Sequence, residues 1–190
     1  LPFSKVLVWL AEKTIPEAAA VADPLARLEP RFLATPSLAL EQAQKCIGAM
    51  GEAAEKNFSL AVDPMLDQHL AQDSDTFNDN ERFLDRAEVE IARYLVAVQT
   101  DLPGSMRRMH AEMLHSLSDF EKIGDYSQNI FECVAQIREN ETVFSESALK
   151  ELELMCQAVE EVIELTVKGY TERSAQIARQ VEPVEEVVDM

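Results

Sequence analysis

Apolar residues recur at steps of three and four in four long stretches of the chain, which is the spacing of one face of an α-helix. These stretches predict helices over residues 37–63, 77–99, 104–139 and 146–180. Thr35 and Pro36 suit the N-cap and first turn of the first helix, and Pro64 is expected to end it. Five of the eight prolines fall within residues 1–36, so we expect short helical pieces and linker there.

The third predicted helix has the most regular apolar face. Its expected core positions are Met106, Met109, Met113, Ser116, Phe120, Ile123, Ser127, Ile130, Val134 and Ile137. The first helix is expected to bury Leu40, Ala43, Ile47, Met50, Ala54, Phe58 and Ala61, and the second Leu84, Ile91 and Leu95. The fourth is expected to bury Leu149, Leu152, Met155, Val159, Ile163, Val167 and Tyr170. Short connections make neighbouring helices antiparallel. The sequence therefore predicts an all-α fold: a linker over 1–36, an antiparallel three-helix bundle over 37–140, and the start of a truncated second repeat over 141–190.

The charge and the cysteines narrow the possible partners and the compartment. Seventeen Lys and Arg against 35 Asp and Glu give a net charge of −18, which disfavours nucleic acid and anionic lipid as partners. Cys46, Cys133 and Cys156 show no zinc-binding spacing, and we interpret them as small core residues in a reducing compartment. The first residue is Leu rather than Met, which suggests a fragment or a processed start, and the apolar run over residues 1–10 is too short to cross a bilayer.

Pairs of acidic residues four apart carry the candidate chemistry. Glu81 and Asp85 lie on the second predicted helix, and Glu121 and Asp125 lie on the third. Residues four apart share a helix face, and like charges there destabilise the helix unless something compensates. Carboxylates suit hard or borderline cations such as magnesium, manganese or iron, so these four residues are candidate metal ligands, with Glu88 a lesser one. The alternative is that the pairs are simply solvated.

The motifs of familiar enzymes are absent. Glu112 and His115 form one Glu-x-x-His step of the kind found twice in ferritin-like di-iron bundles, but neither His69 nor His110 supplies a second. His115 is therefore expected to be a partly buried polar residue. No nucleophile elbow, glycine-rich phosphate loop or His-Glu-x-x-His sequence occurs, so we do not expect an enzyme.

The segment over residues 118–130, Ser-Asp-Phe-Glu-Lys-Ile-Gly-Asp-Tyr-Ser-Gln-Asn-Ile, resembles the PhoU signature Leu-Glu-Arg-Ile-Gly-Asp-His-Ala-x-Asn-Ile. Phe120 replaces the leucine and Lys122 the arginine. In PhoU proteins each three-helix repeat carries an acidic motif on its second and third helices, and some members bind metal clusters there. The resemblance implies that the two acidic pairs are these motifs and could hold iron, zinc, manganese or magnesium. Glu185 and Asp189 would open the motif of the second repeat.

The stretch over residues 33–43, Leu-Ala-Thr-Pro-Ser-Leu-Ala-Leu-Glu-Gln-Ala, is similar to the junction in bacterial Na⁺/phosphate cotransporter family proteins, where the membrane domain ends and a PhoU-like domain begins. This resemblance implies a cytoplasmic regulatory domain at the inner membrane, with residues 1–36 as a juxtamembrane segment. Its expected partners are the transporter domain of the same polypeptide, metal ions and, as an open alternative, a second copy. A free-standing PhoU-like phosphate-signalling regulator and a metal-free structural adaptor also remain open.

Overall fold

The computed structural model describes residues 23–98 and 102–188, and these residues form helices and connecting turns with no β-strand. The six α-helices are α1 (Pro36–Leu66), α2 (Ser74–Ala97), α3 (Gly104–Glu139), α4 (Glu146–Thr171), α5 (Ala175–Ala178) and α6 (Val181–Val188). Two short 3-10 helices, Pro24–Arg27 and Pro30–Ala34, precede them. The all-α prediction is confirmed. The short helical pieces expected before residue 36 are found in the described part of that segment, while residues 1–22 lie outside it.

The predicted end of the first helix at Pro64 is wrong, because α1 continues to Leu66. A proline inside a helix removes one hydrogen bond and crowds one carbonyl, and both effects are small in a last turn whose other bonds persist. Asp67 N–H donates to the Asp63 carbonyl at 2.9 Å. Arg138 of α3 also donates to the Pro64 carbonyl, at 2.8 Å, so a neighbouring helix helps to satisfy this end.

The second helix starts earlier than predicted, within the polar stretch that was expected to be a break. Asp73 is its N-cap, and its Oδ1 accepts the N–H of Thr76 at 3.1 Å. This stretch is polar because it caps and begins a helix. The helix ends at Ala97, and the predicted end at Gln99 lies outside the described residues. The third helix has the predicted bounds.

The predicted single helix over 146–180 is wrong in its last part, because α4 ends at Thr171. Arg173 adopts a left-handed conformation with φ of 53°, and Ser174 N–H donates to the Gly169 carbonyl at 3.0 Å. This bond closes the end of the helix in the manner of a Schellman motif. Ser174 then caps α5 by accepting the N–H of Ile177. The chain therefore turns back through α5 and α6, which pack against α4.

Helix α1 lies at the centre of the fold and packs against α2, α3 and α4. All seven core positions predicted for α1 are buried, as are the three predicted for α2. In α3 the fully buried members of the predicted face are Met113, Phe120, Ser127 and Val134. Buried residues of α4 join the same core cluster. The division into repeats at residue 140 stays a prediction.

Two of the expected core residues are exposed. Met155 on α4 is 60 % exposed, and the adjacent Cys156 is buried in its place. Among the elements described, α4 packs chiefly against α1, α5 and α6, so one side of its apolar stripe has nothing to cover it. Cys133 is exposed while Cys46 and Cys156 are buried, because Cys133 precedes the buried Val134 and points about 100° away from it around the helix. In the part of the chain that the structure describes, no helix combines the length and the hydrophobicity needed to span a membrane.

Candidate functional site

Helices α2 and α3 come into close contact at Gly124, between the two acidic residues of α3. A Cβ atom added to Gly124 would lie 2.7 Å from Leu84 Cδ1 and 3.6 Å from Glu81 Oε1. Only a residue without a side chain leaves room for Leu84 at this separation. The glycine of the signature segment therefore allows the acidic pair of α3 to lie against the acidic pair of α2.

A buried amide holds the Glu81 carboxylate in place. Asn57 of α1 is completely buried, and its Nδ2 donates to Glu81 Oε1 at 2.7 Å and to the Phe77 carbonyl at 3.3 Å. Asn80 Nδ2 donates to Asn57 Oδ1 at 2.8 Å. The carboxylate thus has a neutral donor, which satisfies one oxygen without cancelling its negative charge.

The acidic residues of the two helices act on one another electrostatically. Burial raises the pKa of Glu81, and the negative charges of Asp85 and Asp125 raise it further, while the hydrogen bond from Asn57 lowers it. Burial likewise raises the pKa of Glu121, followed by the charges of Asp125 and Glu88. A hydrogen bond between the carboxyl groups of Glu121 and Asp125 also favours the protonated form of Glu121. All five predicted acidic residues are therefore brought to one seam between α2 and α3, which we call the acidic seam.

No basic side chain forms an ion pair with the acidic seam within the described ranges 23–98 and 102–188, although the charge of the adjacent Lys122 lowers the pKa of Glu121. The ion pairs found there use other carboxylates, those of Asp23, Glu29, Glu41, Asp79, Glu90 and Glu146. Oxygen donors of this kind suit a divalent or ferric cation. In the same ranges, however, no three His, Cys, Asp or Glu side chains are grouped so that they could hold one metal ion. The carboxylate oxygens of the acidic seam are suitable ligands for a cation, but the described side chains do not form a coordination sphere around one point.

The remaining predicted positions do not join the acidic seam. His115 is exposed, so the expectation that it is partly buried is wrong: it follows Leu114 on the outer side of α3, away from the buried Met113 and Leu117. Glu112 is also exposed. Glu185 lies on α6 and is exposed, and Asp189 lies outside the described residues.

Sequence reasoning missed Asn57 and Asn80. Asn57 lies three residues after Ala54 and four before Ala61, both of which were assigned to the core of α1. A polar residue at a core position of an apolar stripe is unusual, because an amide is buried only when its hydrogen bonds are made. That signal was available, although the partner of the amide could not be read from it.

The fold and the acidic seam define a helical-bundle protein with paired carboxylates on two adjacent helices. Residues 47–134 match the family described as PhoU domain, and this range contains both acidic pairs and Asn57. No curated protein and no solved structure matches the chain. The chain thus contains a PhoU-like domain, which indicates a regulatory role in phosphate homeostasis. The PhoU domain family is regulatory rather than catalytic, which is consistent with the expectation that the chain is not an enzyme.

Proposed function

We propose that this chain is the cytoplasmic regulatory domain of a sodium-dependent phosphate transporter, and that its acidic seam binds a divalent or ferric ion. The observation that carries the proposal is the match of residues 47–134 to the PhoU domain. The resemblance of residues 33–43 to a cotransporter junction supports the link to a membrane domain. The proximity of Asp125 to both Glu81 and Glu121 supports the cation.

The physical basis for regulation is a difference in contacts. A bundle next to a transporter changes transport only if it contacts the conducting and non-conducting states differently. A cation that joined the carboxylates of α2 to those of α3 would lower the repulsion across the acidic seam and fix the two helices relative to each other. The ionic state of the cytoplasm would then alter the surface that the bundle offers to the membrane domain.

A second candidate is a metal-free helical adaptor, either free-standing or tethered. One observation favours it: the carboxylates of the described residues do not converge as a three-ligand group. In that case the acidic seam remains solvated at Asp85 and Asp125, which are exposed, and the bundle acts through its outer surfaces alone.

The link to a membrane is tested by fractionating cells that produce the native full-length protein and detecting it with an antibody to this domain. We expect a membrane-bound species much larger than 21.3 kDa. A soluble species near that mass would overturn the transporter proposal and favour a free-standing regulator.

The cation is tested on the full chain with paired variants. Glu121→Gln with Asp125→Asn removes the α3 pair, and we expect it to abolish bound metal, measured by elemental analysis, and to alter phosphate uptake in cells. Asp75→Asn with Asp79→Asn is the matched control, because these two residues have the same spacing on α2 but are both exposed. Unchanged metal content and uptake in the first variant would contradict the proposal.

A further inference from the structure

Asn57 is the one buried side-chain amide whose hydrogen bonds join α1 to α2 within the described residues. The only other polar residue that is fully buried there is Ser127, whose hydroxyl donates to Ile123 of its own helix at 2.7 Å. Asparagine is a weak helix former, and burying its amide is unfavourable without partners. Its three bonds to α2 therefore account for its presence in the core.

The network also fixes which way the amide of Asn57 points. Asn80 is a donor to Oδ1, so the carbonyl end of the amide is occupied and the NH₂ end faces Glu81. A lysine or arginine in this place would form an ion pair with Glu81 and cancel its charge, and an aspartate would repel it. A neutral donor holds the carboxylate without bringing a compensating positive charge to it.

We propose that Asn57 is a positioning residue that orients the Glu81 carboxylate toward Gly124 and the acidic pair of α3. A glutamate side chain has three rotatable bonds, and the like charges of Asp85 and Asp125 favour its rotation toward solvent. The bond of 2.7 Å from Asn57 opposes that rotation and keeps Oε1 at the α2–α3 contact. The proposal rests on the proposed function where it concerns metal affinity, and on the hydrogen-bond network alone where it concerns orientation.

The metal readout uses Mn²⁺ titrated into the full chain by calorimetry. Asn57→Leu removes both amide functions at similar volume, and we expect Mn²⁺ affinity to fall by about 10- to 100-fold, as for other residues that orient metal ligands. Val62→Ala is the control, since Val62 is also buried on α1 but is not part of the network, and its Mn²⁺ affinity should match wild type. Wild-type affinity in Asn57→Leu would overturn the proposal.

A second variant covers the case in which Asn57→Leu does not fold. Asn80→Ala alters a partly exposed position and frees the amide of Asn57 to flip, so it should weaken Mn²⁺ binding by a smaller factor than Asn57→Leu. If Asn57→Leu is unfolded and Asn80→Ala binds Mn²⁺ as wild type does, the proposal is wrong.

A metal-independent readout separates this proposal from the proposed function. If wild type binds no Mn²⁺, the metal-binding function falls, and a double-mutant cycle in urea decides the orientation. We expect Asn57→Leu to lower the urea midpoint about half as much in a Glu81→Ala background as in wild type, because residues in one hydrogen-bond network are not additive. Strictly additive midpoint losses would show that Asn57 does not hold Glu81.

Discussion

Replacing Gly124 by alanine tests whether the contact between α2 and α3 depends on the missing side chain. The new methyl group would lie 2.7 Å from Leu84 Cδ1, well inside van der Waals contact. Leu84 is only 2 % exposed, so it has little room to move away. Overpacking of a core costs about 1–3 kcal/mol. Alanine is the better helix former by about 1 kcal/mol, so we expect a net loss of roughly 1 kcal/mol.

The loss is measured by urea unfolding and by thermal melting of the full chain. For a domain of this size a loss of 1 kcal/mol lowers Tm by about 2–4 °C. Gly104→Ala is the matched control, because no atom lies within 4 Å of a Cβ added there. Gly104→Ala should be neutral or slightly stabilising. Equal or greater stability of Gly124→Ala than of wild type would refute the reasoning.

Making the Gly124→Ala substitution in a Leu84→Ala background separates the steric clash from the change in helix propensity. Leu84→Ala removes the atom that the new methyl group would meet and is expected to cost about 2–5 kcal/mol by itself. In that background Gly124→Ala should become stabilising, because the clash is gone and only the propensity gain remains. A loss of the same size in both backgrounds would show that Leu84 is not the cause.

Three further predictions concern the acidic residues, a helix end and the thiols. Burial raises the pKa values of Glu55, Glu81 and Glu121, so the native state still binds protons that the unfolded chain has already released. The stability that these protons contribute is fully present below the unfolded pKa and is lost as pH rises through the raised native values. Urea midpoints should therefore be higher at pH 5 than at pH 7. No difference, or the opposite one, would contradict this. Arg138→Ala removes charge-assisted hydrogen bonds to three carbonyls at and beyond the end of α1, so urea unfolding should show a loss of about 1–3 kcal/mol. A variant as stable as wild type would show that these bonds are dispensable. A thiol reagent added to the native chain should modify Cys133 rapidly and the two buried cysteines only after unfolding; fast reaction of all three would refute the burial assignment.

The core of α1 could be predicted from the sequence because the apolar side of this helix is buried along its whole length. α1 packs against three other helices, so every position of its apolar stripe from Leu40 to Ala61 has a neighbour to cover it. Periodicity identifies the apolar side of a helix, and here that side is also the covered side. The prediction needed no knowledge of which helix covers which residue.

The wrong predictions concern features that depend on which helix covers which residue. Met155 continues the apolar stripe of α4, but the described neighbours of α4 cover other parts of the helix. The break after Thr171 depends on a left-handed Arg173, which is rare for a residue with a side chain and has no signal in the periodicity. The first turn of α2 was missed because the residues that cap a helix are the same residues that form loops.

The acidic seam depends on both the spacing of residues along a helix and the packing of helices against each other. Spacing alone places Glu121 and Asp125 on one face of a helix, yet only packing brings that face against Glu81, through the close contact at Gly124 and the bond from Asn57. The result is a set of carboxylates in which burial and neighbouring negative charges raise the pKa values of Glu81 and Glu121, and none of which forms an ion pair within the described residues. A cation that bound only the folded seam would stabilise it by about 2.7 kcal/mol at a concentration 100-fold above its Kd. Since glutamine and asparagine at Glu121 and Asp125 would remove the repulsion and the ligand together, that variant should gain stability without metal and lose the response to metal. A solvated pair without a cation would show the first effect alone, so the two effects measured together separate a metal-binding regulator from a metal-free adaptor.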